Sequence, residues 1–276
     1  MNLRVVSFLF LVYSIFFNSC KSTASKELGA PPPSSIKEVQ TGKALAAKLA
    51  KKYGLIQDKD FTTYLTLVGR SISQNSSRSE LNFHFGILNT DEVNAFACPG
   101  GYILVTKGAL KLADSEAELA ALLSHEVTHV SLKHYGKFEE QQGASILDII
   151  ASIMAPGGNV VTSLTNAAVD GAMALLFEKG LPKEQEYEAD KGGVTYMSLA
   201  GYDANSAVTY LEKMNSSQNK STLNKTHPPT SERVTLIKNY IRSQGFDPKG
   251  AKGKTRFQAK LKEFLAKNDK KVSYNF

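Results

Sequence analysis

Two cysteines in 276 residues leave no material for a disulfide framework. The chain also lacks a run suited to crossing a bilayer. The apolar stretch VVSFLFLVYSIFF at 5–17 stops at 13 residues, well short of the roughly 20 a spanning helix needs. Two further apolar stretches, ASILDIIASIMA and VVTSLTNAAVDGAMALLF, are split by Pro156-Gly157-Gly158 and carry Asp148 and Asp170. They read as a helical hairpin packed on the body, or an amphipathic flap, over 144–177. No internal repeat is present, which excludes a repeat array. The formal net charge is +7, yet the lysines are scattered and no nucleic-acid motif accompanies them. A solvated basic surface that can face a membrane is expected, and a nucleic-acid partner is not.

What is present begins with a leader. Arg4 precedes the apolar run and Asn18-Ser19-Cys20 follows it, the layout of a secretory signal peptide over 1–19. Cys20 stands where a bacterial lipoprotein signal places its lipidated cysteine. The alternatives are secretion with an unmodified cysteine, or an uncleaved anchor. With Cys20 acylated, Cys98 has no partner and reads as a small buried hydrophobe. The stretch KSTASKELGAPPPSS to residue 35 has almost nothing to bury, so 20–35 reads as the lipidated cysteine and a tether.

The body is expected over 36–243, followed by a basic, partly helical extension at 244–276. Helical periodicity runs over 36–53 and 60–74. Alternation in LNFHFGIL (81–88) and the run GYILVT (101–106) predict strands, hence a small sheet. Asp114, Ser115 and Glu118 form a capping-box start for a helix over 116–134 that is apolar nearly all round. Further helices are expected over 183–200, over 203–215 with Asp203 as cap, and from about Ser231. The fold class is α+β and mostly helical.

The chemistry centres on His125-Glu126-Val127-Thr128-His129. Histidines four apart share a helical face, so both rings can reach one ion. Glu126, next to the first, then lies beside the metal without ligating it, where it can take a proton from water. Catalytic zinc usually takes a third protein ligand, and the acidic run KEQEYEAD (183–190) contains the candidates. Glu186 and Asp190 lie on one face, while Glu188 points elsewhere. Ala189, Gly192 and Gly193 are small enough to let this helix lie close against the first. His84 and His134 read as structural.

HEVTH, EYEAD, NAFACPGGYILV and THPPTSER, in that order, resemble the HtpX-like and CAAX-prenyl-protease-like zinc metalloendopeptidases. The likeness spans about 36–243 and is strongest to the soluble, lipoprotein or periplasmic members. It implies a zincin-like domain with its sheet beside the HExxH helix. It implies one zinc per chain held by His125, His129 and Glu186, with Glu126 as general base and Asp190 bracing the site. Asn94, Ala95 and Phe96 would meet an extended substrate along a strand edge. His227 would stabilise the oxyanion or approach the zinc, with Arg233 buttressing it or the cleft. In the second arrangement a closed site would leave the resting enzyme latent. Two features depart from the family pattern: Pro182-Lys183 stands in place of Ser-Arg, and Cys98 in place of Leu.

These parts together lead to an expected zinc metalloendopeptidase, lipid-anchored in a bacterial cell envelope. Its substrates would be exposed, extended segments of misfolded or damaged envelope proteins. The competing expectation is a non-catalytic, chaperone-like lipoprotein with structural zinc. Glu126 separates the two, since a structural site needs no base.

Overall fold

The computed structural model describes residues 33–137, 180–216, 230–246 and 250–269. The leader, Cys20, the 144–177 stretch and His227 lie outside the described residues.

Helix α1 (Pro33–Tyr53) buries Leu45 and Leu49, four apart, against Leu88, Phe96 and Leu104 of the sheet. Asp58 starts α2 (Lys59–Ser73) by accepting the Phe61 amide at 2.9 Å. Phe61, Leu65, Val68 and Ile72 then form one buried stripe.

The sheet has three strands in the order β1-β3-β2. Strand β1 (His84–Leu88) runs parallel to β3 (Tyr102–Thr106), and β2 (Ala95–Cys98) pairs antiparallel with β3. Strand β2 is therefore an edge. It joins β3 through a tight turn at Pro99–Gly101, where Gly100 has φ 69° and an added Cβ would sit 2.5 Å from Val39 Cα.

After the short α3 (Lys107–Leu112), the expected capping box is in place. Ser115 Oγ accepts the Glu118 amide at 3.2 Å, and Glu118 Oε2 accepts the Asp114 amide at 2.6 Å. Helix α4 (Glu116–Ser131) is buried at every residue except His125. It ends three residues earlier than the apolar pattern suggests. Lys133 takes a left-handed backbone, φ 52°, and a short helix α5 (His134–Lys137) restarts in a new direction. A non-glycine residue in that region costs on the order of 1 kcal/mol, so neighbouring contacts must hold the break.

Helix α6 (Lys183–Leu199) lies against α4 as closely as its small residues allow. An added Cβ at Gly193 would stand 3.0 Å from the His125 amide nitrogen, and one at Gly192 would stand 2.5 Å from Thr128 Cγ2. Asp203 Oδ1 accepts the Asn205 amide at 3.0 Å and starts α7 (Asn205–Ser216). Helices α6, α7 and α8 (Thr230–Gln244) share an apolar cluster built on Val194, Leu211 and Ile237.

The C-terminal stretch corrects one expectation. It is not appended to the body, because α9 (Lys254–Asn268) buries Phe257 and Phe264 in the main core beside Phe61, Leu65 and Leu119. Arg256 pairs with Glu116 at the start of α4, and Ser34–Phe276 forms one compact unit.

Candidate metal centre

Helix α4 projects His125 and His129 toward Glu186 of α6. The Nε2 atoms of the two rings stand 3.0 Å apart. Glu186 Oε2 lies 3.5 Å from His125 Nε2, and Oε1 lies 3.6 Å from His129 Nε2. A tetrahedral zinc with bonds of 2.0–2.1 Å separates its ligand atoms by about 3.3 Å, so this spacing fits such an ion. Charge agrees with geometry. Glu126, Glu186 and Asp190 are all buried, with Arg233 as the opposing cation. The buried acidic groups outnumber the one arginine, as a cation site requires. A metal could therefore be held by His125, His129 and Glu186.

The surroundings hold these ligands in place. His125 Nδ1 lies 3.1 Å from Asp190 Oδ1. Arg233 clamps that carboxylate from α8, with Nε 2.8 Å from Oδ2 and Nη2 2.7 Å from Oδ1, and its Nη1 lies 3.8 Å from Glu186. Burial alone would raise the Asp190 carboxyl. The charge and hydrogen bonds of Arg233 outweigh it, with help from His125, and hold Asp190 well below the usual carboxylate range. Burial would likewise lower the His125 ring, but Asp190 and Glu186 lift it to about 10. The field at this point favours positive charge.

Two residues that sequence spacing set aside belong here. His134 Nδ1 lies 2.8 Å from His129 Nδ1, and His134 Nε2 lies 3.1 Å from Glu188 Oε2. Glu188 does point away from Glu186, as expected, but toward a histidine behind the site. Helical periodicity could not reveal this. Residues five apart on a continuous helix face about 140° away from each other, and only the break at Lys133 turns His134 back.

A cleft that opens to solvent adjoins the centre at His125. Glu126 and His125 line it from α4, Asn94 and Ala95 from the edge strand, and Tyr210 and Leu211 from α7. Asn94 uses its side chain locally, accepting the Ala95 amide at 2.9 Å. Phe96 is the next residue along the edge strand. Its side chain is turned away from the cleft into the cluster beneath the sheet, stacked on Tyr53 with ring centroids 5.9 Å apart. Alternation along the strand requires this once Ala95 faces the cleft. Cys98 is fully buried, and burial pushes its thiol far up, as a core residue requires. Lys183 pairs with Glu232 of α8 at 2.6 Å and tethers the start of α6.

A family model described as peptidase family M48 matches residues 61–241, about two thirds of the sequence. The chain belongs to peptidase family M48. All the described residues of the M48 centre, from His125 to Arg233, fall within that match. The chain is 28% identical over 185 residues to the beta-barrel assembly-enhancing protease of Escherichia coli (strain K12), covering 64% of this chain and 37% of that protein. It is 27% identical over 184 residues to the mitochondrial metalloendopeptidase OMA1 of Schizosaccharomyces pombe, covering 65% and 53%. It is 24% identical over 191 residues to the metalloprotease LoiP of Escherichia coli (strain K12), covering 68% and 73%. The aligned part spans well under half of the first of these relatives.

Proposed function

We propose that this M48 chain is a zinc-dependent metalloendopeptidase of the bacterial cell envelope, anchored through a lipidated Cys20. The observation that carries the reading is the convergence of His125, His129 and Glu186 at tetrahedral spacing, with Glu126 beside them in an open cleft. Those three residues would hold the ion. Bound there, zinc supplies a Lewis acid that polarises the scissile carbonyl and makes water more acidic.

The chain's own residues do the rest. Glu126 takes the proton from the attacking water and returns it to the leaving amine. Glu126 is itself buried and lines the cleft beside His125. Asp190, pinned by Arg233, orients the His125 ring. The β2 edge beside Asn94 and Ala95 offers main-chain groups to an extended peptide, which selects exposed, unfolded segments over folded ones. A role on exposed segments of misfolded or damaged envelope proteins belongs to the same proposal, and kinship with the proteases named above supports peptide-bond hydrolysis. His227 is assigned to the developing oxyanion, with latency as its second role if it closes the ligand set.

Cleavage of casein by the purified chain, compared with Glu126→Gln and with zinc measured on both, tests this. The reading requires about one zinc on each and cleavage by the unmodified chain alone. Zinc on both with cleavage by neither points to a binding protein or a latent enzyme. His227→Ala then decides, because release of activity identifies latency.

A further inference from the structure

The two histidines of the centre are supported differently. His125 meets a carboxylate directly, through Asp190. On its Nδ1 side His129 reaches a carboxylate through another ring: His129 Nδ1 to His134 Nδ1 at 2.8 Å, then His134 Nε2 to Glu188 Oε2 at 3.1 Å. His134 is wholly buried, so where its proton sits matters.

We propose that Glu188 and His134 are positioning residues that set the ligating tautomer of His129. This rests on the zinc reading above. An ionised carboxylate only accepts, so Glu188 draws the His134 proton to Nε2. The neutral ring then presents a bare Nδ1. That nitrogen accepts from His129 Nδ1–H, and His129 is left with its lone pair on Nε2, facing His125 and Glu186. Reversing any one assignment puts a proton on His129 Nε2, where it blocks ligation. The break in the helix at Lys133 acquires a purpose: it is what brings residue 134 behind residue 129. Glu188 leaves the acidic face shared by Glu186 and Asp190 and completes this second path from α6 to α4.

Zinc affinity of the full chain, measured by competition with a chromophoric chelator after metal removal, tests the proposal without reference to activity. Partners behind a metal-ligating histidine typically contribute about 10–100-fold in affinity. His134→Phe and Glu188→Ala are each expected to weaken zinc binding by that factor. His134→Asn should restore it, because its Oδ1 can accept from His129 where the ring Nδ1 stood. The Glu188 side chain is half exposed, so its removal tests the proposal even if His134→Phe fails to fold. Long-range proton–nitrogen spectra of the zinc-loaded chain should show His134 protonated at Nε2 only. Wild-type affinity in Glu188→Ala, or a proton on His134 Nδ1, overturns the proposal. An unmodified chain that takes up no zinc overturns the metal reading itself.

Discussion

Arg233 and Asp190, forty-three positions apart, form a two-pronged ion pair with both side chains about 95% buried. The pair joins α8 to α6 directly behind His125. It is a structural clamp and a part of the metal centre at once, and its loss should show in both properties.

Arg233→Ala is expected to lower stability by about 3–5 kcal/mol, since it leaves Asp190 buried without its cation. Arg233→Lys should recover charge but not the fork, because an ammonium cannot meet both carboxylate oxygens in parallel. Urea unfolding of the metal-free chain measures the first effect. Zinc affinity of Arg233→Lys, expected to fall between wild type and Arg233→Ala, measures the second.

The approach of α6 to α4 gives a separate prediction. An added methyl at Gly193 meets the His125 backbone, which cannot swing aside as a side chain would. Gly193→Ala should cost about 1–3 kcal/mol and also weaken zinc binding, because Glu186 and His125 move apart together. A comparable loss of stability with unchanged zinc affinity would show that the ligands do not depend on this spacing.

Acid sensitivity should reside partly in Glu116. Burial would raise its carboxyl, but hydrogen bonds from Arg256, Tyr64 and Tyr202 outweigh it and hold the group below its ordinary 4.5. A depressed carboxyl stabilises the fold above the unfolded value, and that contribution disappears as pH falls through the folded value. Glu116→Gln is therefore expected to be less stable than wild type at pH 7, with the gap closing below pH 4.5. Unfolding midpoints in chelator, across that range, check the sign without interference from the metal ligands.

The last helix should behave as core. Phe264 packs against Phe61 with ring centroids 4.6 Å apart, and Phe257 is wholly buried. Phe257→Ala or Phe264→Ala should each cost about 3–5 kcal/mol. A solvated extension would lose far less, so thermal unfolding distinguishes the two.

Short-range rules were enough for much of this protein. Four-residue spacing on one face placed His125 with His129, and Glu186 with Asp190, because a helix repeats that geometry wherever it forms. The capping box at Ser115 and the small residues at Gly192 and Gly193 were legible for the same reason: each acts over a few residues or by bare size. Tertiary structure decided what no period encodes. Phe96 turned inward because the strand's alternation was anchored by Ala95 at the cleft. Phe257 and Phe264 became core because α2 and α4 left an apolar surface to cover. His134 reached His129 only because Lys133 broke the helix between them, and nothing local in the sequence marks that break. Residues that share a helical face follow from sequence; the placing of His134 and Glu188 behind His129 follows from packing.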